Sequence, residues 1–161
     1  GPGQVLWDLG AGSGAVGLEA GRLMPGGGVW AVERNPGRAA QIRENRRRLG
    51  AWYLEVVEAR LPEGLETLPD PDRVFMGGGG ESLPAIIAAA GRRLRPGGRM
   101  VVNTVVLERV TAAMEALRGA GLSADAVQVQ ISRSRPMPGG QRLEALNPVW
   151  VVTGSREGEG S

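Results

Sequence analysis

The chain has 161 residues, a net charge of +2 and neither cysteine nor histidine. This length suits one domain around one core, and the missing residue types exclude a disulfide framework, a Cys/His zinc site, a thiolate nucleophile and a histidine base. All 19 basic residues are arginine, so the basic isoelectric point reflects a group that never titrates rather than the large cationic excess expected of a nucleic-acid-binding domain.

Val5-Leu6-Trp7-Asp8-Leu9 reads as a buried parallel strand, spanning about 4–9, that carries an aspartate straight into Gly10-Ala11-Gly12-Ser13-Gly14. Glycines at 10, 12 and 14 let the chain turn sharply and let a ligand touch backbone. The helix predicted over 14–23 points its unpaired N–H groups into the same space. A small molecule with an anionic group and a nucleoside fits such a turn. Gly10, Gly12 and Ala15 satisfy the looser G-x-G-x-x-A form of a dinucleotide site. Asp8 ahead of a G-x-G-x-G run instead resembles the first motif of class I S-adenosylmethionine-dependent methyltransferases.

The second strand is predicted over 28–33 and ends in Glu33. In both ligand classes an acidic side chain about twenty residues past the glycine turn grips the ribose hydroxyls. Pro36 suits the first turn of a helix over 36–49, and a third strand follows over 53–58. Pro69-Asp70-Pro71-Asp72 marks a turn, Arg73–Met76 a short fourth strand, Leu83–Leu94 a helix, Arg99–Asn103 a fifth strand and Val105–Gly119 another helix. This alternation implies a doubly wound α/β sheet of the Rossmann-like type. The tail differs: Val127, Val129 and Ile131 alternate with polar residues, as in a half-exposed antiparallel strand, and Val149–Val152 supplies its partner. The fold expected is therefore a mostly parallel sheet closed by an antiparallel strand pair. The domain is expected over 1–153, with 154–161 as a disordered tail.

Four stretches are similar to the cobalamin-biosynthesis methyltransferases of the precorrin-6Y (decarboxylating) type: Gly12–Glu19, Val74–Gly80, Val101–Val105 and Gly140–Val149. The glycine run after the fourth strand and the Arg142–Pro148 segment are the more specific of these. That family carries a helical segment ahead of the first strand, whereas this sequence starts at Gly1-Pro2-Gly3, which reads either as a tag scar at Gly1-Pro2 or as one domain cut from a longer protein.

The resemblance implies S-adenosyl-L-methionine as cofactor and an anionic tetrapyrrole, a precorrin or cobalt-precorrin, as substrate. It implies methylation at carbon 15 with decarboxylation of the carbon 12 acetate. Carried over by position, cofactor contacts fall at Asp8, Gly10, Ala11, Gly12, Ser13, Gly14, Glu33 and Ala59. Gly77, Gly78, Gly79 and Gly80 lie where a flat macrocycle would approach the methyl group, and Arg142 is the candidate for a substrate carboxylate, with Arg133 and Arg135 beside it. Asn103, Thr104 and Glu108 follow the fifth strand and are candidates for substrate contact or proton transfer; a helix cap at Thr104 and a solvated Glu108 stand beside that reading.

No metal is expected. The resemblance further implies a homo-oligomer, a tetramer, and fusion to or cooperation with a second methyltransferase domain. No apolar run approaches the ~20 residues of a membrane span, no signal peptide is present, and the cytoplasm is the expected location. The competing functions are an RNA or other small-molecule methyltransferase and a non-catalytic dinucleotide-binding module. Against the RNA reading, one Tyr and one Phe leave few rings for base stacking.

Overall fold

The structure is a computed structural model that describes residues 1–77 and 79–158. Its strands and helices alternate as β1 (Val5–Leu9), α1 (Ala15–Arg22), β2 (Gly28–Glu33), α2 (Pro36–Leu49), β3 (Leu54–Glu58), β4 (Arg73–Met76), α3 (Leu83–Arg93), β5 (Arg99–Thr104) and α4 (Leu107–Gly119). Four further strands follow, β6 (Asp125–Val129), β7 (Ser132–Met137), β8 (Gly140–Ala145) and β9 (Val149–Ser155). Seven strands form one sheet in the order β3-β2-β1-β4-β5-β9-β6. β1 to β5 pair in parallel, and β9 inserts antiparallel to both β5 and β6. The expected partnership of the tail strands holds, with Val127 opposite Val151 and Val129 opposite Val149.

The chain reverses its strand order between β1 and β4. β2 and β3 lie to one side of β1, β4 and β5 to the other. A crevice opens at the carboxyl ends of strands where the order reverses, and ligands of open α/β sheets bind there. Two apolar layers fix the flanking helices. Ile42, Leu18, Val29 and Leu54 pack α1 and α2 on one face, and Ile87, Leu117, Met100 and Val152 pack α3 and α4 on the other. Trp7 is fully buried at the centre of the second layer, with its indole N–H donating to the Pro69 carbonyl at 3.0 Å and the Arg93 guanidinium 5.2 Å from its ring. Arg93 also donates to the Leu65 and Leu68 carbonyls and pairs with Asp70, tying the 65–70 connection to α3.

Several expectations are revised. The domain boundary expected at 153 falls inside β9, which continues through Gly154 and Ser155; Gly154 sits against Leu117, where a side chain would clash at 2.7 Å. The helix expected from Val105 begins at Leu107, because the Thr104 hydroxyl oxygen accepts from Val106 N at 3.1 Å and holds the chain in a turn. Trp52, beside β3, is 66% exposed beneath the Arg46 guanidinium. Finally, β7 and β8 pair as a separate two-stranded hairpin, with Arg135 opposite Arg142. Their sequences, SRSRPM and GQRLEA, lack the period-two apolar alternation that announces a strand.

Candidate active site at the carboxyl ends of the strands

The buried polar or charged side chains among the described residues are Asp8, Glu33 and Thr104. All of them stand at or next to the carboxyl end of a strand, on β1, β2 and β5. Burying a carboxylate is costly unless something compensates, so each has its own physical explanation. Asp8 Oδ2 accepts from Gly17 N at 2.9 Å, across the glycine turn, which ties β1 to the first turn of α1. Burial pushes its carboxyl up to about 6, against the Gly17 hydrogen bond, and the Glu33 charge adds to the rise. Glu33 Oε2 accepts from Gly12 N and Oε1 from Asn35 N, each at 2.9 Å. Asn35 in turn caps α2, its side chain accepting from Arg38 N at 3.0 Å. One carboxylate thus fastens the glycine turn to the β2–α2 corner.

Two cavities flank this clamp and share Gly10. The first, of about 480 Å³, is lined by Asp8, Gly10, Ala11, Gly12 and Ser13 from the turn, Gly77 after β4, and Asn103 and Thr104 from β5. Phe75, Val16, Val105 and Val149 supply its apolar wall. The second, of about 440 Å³, lies on the β2–β3 side and is lined by Gly10, Glu33, Ala59, Gly79 and Gly80, with Arg34, Arg38 and Arg60 around them. Gly10 and Gly12 sit at φ 74° and 60°, and a side chain added at either would meet nothing within 4 Å. These glycines are therefore needed for backbone conformation, not for packing against protein.

Most of the expected site residues converge. Asp8, Gly10, Ala11, Gly12 and Ser13 line the first cavity, and Glu33 and Ala59 the second. The glycine run after β4 divides, with Gly77 on the first cavity and Gly79 and Gly80 on the second; Gly78 lies outside the described residues. Gly14 lines neither cavity, since an added side chain there would sit 2.8 Å from Ile42. Glu108 is exposed in the first turn of α4 and also lines neither. Arg142 projects from the exposed hairpin, 3.8 Å from Glu144, and borders neither cavity of its own chain. Asn103 Oδ1 is shielded and has no partner among the described residues, unlike Thr104, whose hydroxyl oxygen is already engaged.

The residues missed from sequence include Phe75, Val16, Val105 and Val149 of the first cavity and the three arginines of the second. Phe75 precedes the last residue of β4 and had a usable signal, its place beside the glycine run. The others carry no local mark.

No group of three or more His, Cys, Asp or Glu side chains suited to a metal ion occurs among the described residues. No helix there is long and apolar enough to cross a membrane. A paired cavity with a glycine cradle between them, an acidic side chain under the cradle and another at the end of β2 suits an elongated nucleoside-containing ligand.

Comparison with known proteins agrees. The crystal structure of the precorrin-6Y C5,15-methyltransferase of Geobacter metallireducens superimposes with a TM-score of 0.89 at 41% identity, covering 97% of this chain and 81% of that one. The cobalt-precorrin-6B C(15)-methyltransferase (decarboxylating) of Salmonella typhimurium is 35% identical over 94% of this chain and 79% of its own length. The precorrin-6Y C(5,15)-methyltransferase [decarboxylating] of a Sinorhizobium species is 36% identical, and there this chain matches 35% of a longer protein. The family model described as precorrin methyltransferase domain matches residues 1–154, and the chain belongs to that family of methyltransferases.

Proposed function

We propose that this domain methylates carbon 15 of a precorrin or cobalt-precorrin with S-adenosylmethionine and removes the carbon 12 acetate carboxyl as carbon dioxide. The observation that carries the proposal is the pair of cavities joined at Gly10, with Asp8 beneath one and Glu33 inside the other. The fit to the cofactor is chemical. Glu33, beside Ala59, has acceptor capacity for ribose hydroxyls, the open Gly10–Gly12 backbone admits the chain linking nucleoside and amino acid, and Asp8 places a carboxyl near its cationic end. The cofactor supplies an electrophilic sulfonium methyl, so no activated side-chain nucleophile is required, in keeping with a chain that has neither Cys nor His.

The protein's part is alignment and exclusion of water. Phe75, Val16, Val105 and Val149 form an apolar wall on the first cavity, facing the Gly77 rim, where a flat conjugated carbon nucleophile can approach closely. The same apolar wall desolvates a carboxylate that is to be lost, with the macrocycle accepting the electron pair. Asn103 and Thr104 are the polar groups on the β5 side of that cavity, and in this reading they contact the substrate or pass a proton to the carbon that loses carbon dioxide. Glu108 stands outside the cavity, so its part in proton transfer would run through solvent.

The same proposal takes the assembly to be a homo-tetramer in the cytoplasm, with the β7–β8 hairpin as contact surface. Val127, Val129, Ile131, Met137, Leu143 and Leu146 are all exposed on or beside this hairpin, and a lone two-stranded sheet is marginal without support. Arg142, which borders no cavity of its own chain, would reach a substrate carboxylate only through such packing.

Titration calorimetry with S-adenosylhomocysteine and NAD, followed by mass spectrometry of a tetrapyrrole incubated with S-adenosylmethionine, tests the proposal. The expected result is binding of the homocysteine compound alone, and a product that has gained a methyl group and lost carbon dioxide. Binding of NAD alone, or methylation of RNA in preference to tetrapyrrole, would overturn it.

A further inference from the structure

The second cavity carries more positive charge than an adenosine group needs. Arg34, Arg38 and Arg60 all line it and all are exposed. They come from separate places: Arg34 just past β2, Arg38 in the first turn of α2 and Arg60 just past β3. None is part of an ion pair among the described residues. On the same helix, by contrast, Arg43 pairs with Glu58 at 3.5 Å and Arg46 with Glu55 at 3.1 Å. The carboxylates of the cavity leave the cations unanswered. Glu33 is held by the Gly12 and Asn35 N–H groups, and Glu81 is exposed in the short 3-10 turn Gly80–Ser82.

The cofactor cannot supply the missing negative charge. Its sulfonium, ammonium and carboxylate groups all belong to the methionine end, and the adenosine end is neutral. An anion bound at this end would therefore come from the other ligand. We propose that Arg34, Arg38 and Arg60 form a carboxylate-binding subsite for the substrate. In this arrangement the macrocycle crosses Gly77, Gly79 and Gly80, which divide between the two cavities, and passes acetate or propionate side chains to the guanidinium groups. This rests on the tetrapyrrole reading above and adds to it where the polyanion is held. A guanidinium fork takes a carboxylate through two parallel hydrogen bonds, and a cluster of such charges at the mouth of a cleft speeds the encounter with a polyanion in a salt-dependent way. These are binding residues, remote from the transferred methyl group, so their loss falls on KM and leaves kcat nearly unchanged.

The test uses the whole chain, wild type and the triple variant Arg34→Gln, Arg38→Gln, Arg60→Gln, with a triple Lys variant as the charge-conserving control. Binding of uroporphyrin, and of coproporphyrin with half its carboxylates, is followed by fluorescence quenching at low and at physiological ionic strength. S-adenosylhomocysteine is titrated by calorimetry in parallel. The Gln variant is expected to weaken uroporphyrin binding by about tenfold or more, the scale of one or two charge-assisted contacts. It should also lose most of the salt dependence and the preference for uroporphyrin, keep its affinity for S-adenosylhomocysteine within about twofold, and recover partly with Lys. Uroporphyrin binding that is unchanged in the Gln variant overturns the subsite alone. A matching loss of S-adenosylhomocysteine affinity also overturns it, by assigning the arginines to the cofactor. Wild-type protein that binds S-adenosylhomocysteine but neither porphyrin overturns the tetrapyrrole reading, and the subsite with it.

Discussion

Glu33 Oε2 accepts a hydrogen bond from Gly12 N at 2.9 Å across 21 residues of sequence, so the acid proposed to read a ribose is also the clamp on the glycine turn. Replacing it with alanine leaves the Gly12 and Asn35 N–H groups unpaired and opens the turn. Hydrogen bonds to a charged group contribute on the order of 1.5–3 kcal/mol. Glu33→Ala is therefore expected to weaken S-adenosylhomocysteine binding at least about tenfold, with Glu33→Gln intermediate because one acceptor oxygen remains. Wild-type affinity in the alanine variant, measured calorimetrically, would remove Glu33 from the cofactor site.

Asp8 makes stability depend on pH in a defined direction. Its folded-state value is raised from 3.8 to about 6, so between those values the native state keeps a proton that the unfolded chain has released. The contribution of this group to stability is fully present below the unfolded value and is lost as pH rises through the folded one. In full it amounts to roughly 3 kcal/mol. Asp8→Asn retains an oxygen for Gly17 N and cannot ionise; urea unfolding should show it gaining stability relative to wild type above this window and nothing below it. Parallel wild-type and variant curves across the window would show that Asp8 is not the group responsible.

Two glycines separate packing from ligand approach. An alanine at Gly21 would drive its Cβ into the Tyr53 ring at Cε2, a ring whose hydroxyl donates to the Leu18 carbonyl at 2.6 Å. Gly21→Ala should cost about 1–3 kcal/mol through overpacking while leaving cofactor affinity intact in the folded fraction. Gly12→Ala meets no protein atom but sits at φ 60° on the cavity. It should cost only about 1 kcal/mol in stability and abolish S-adenosylhomocysteine binding. Thermal unfolding with and without ligand distinguishes the two patterns, and equal loss of affinity in both variants would defeat the distinction.

The hairpin contributes no residue to the buried core. Met137→Glu with Leu143→Glu, at side chains 48% and 73% exposed, should therefore leave the unfolding temperature of the domain nearly unchanged and convert the assembly to monomers in sedimentation velocity. A wild-type chain that already sediments as a monomer would remove the hairpin's proposed role.

Arg93→Lys tests the tie between α3 and the 65–70 connection. Lysine carries one charge but not the fork that meets Leu65, Leu68 and Asp70 together beside Trp7. A loss of about 1–3 kcal/mol is expected in denaturant unfolding. No measurable loss would mean the connection is held by Trp7 and Leu68 packing alone.

The sequence by itself determined the features that depend on neighbours along the chain. Strand and helix positions to β5 follow from apolar periodicity, and the Asp8–Gly14 turn and Glu33 follow from spacing within two successive β/α units, because a parallel crossover puts those strand ends side by side, whereas Ala59 is marked only by the family resemblance. Tertiary structure alone decided what depends on distant segments meeting. The β6–β9 pairing is announced by the alternation around Val127 and Val129, but that β9 lies between β5 and β6 is encoded by no local pattern, and β7 and β8 show no alternation because neither face of the hairpin is buried in this chain. Gly14 and Gly12 look alike in sequence, yet one faces Ile42 and the other faces open space. Arg34, Arg38 and Arg60 are ordinary exposed residues taken singly. They become one cationic rim only because the ends of β2 and β3 and the start of α2 surround the same cavity.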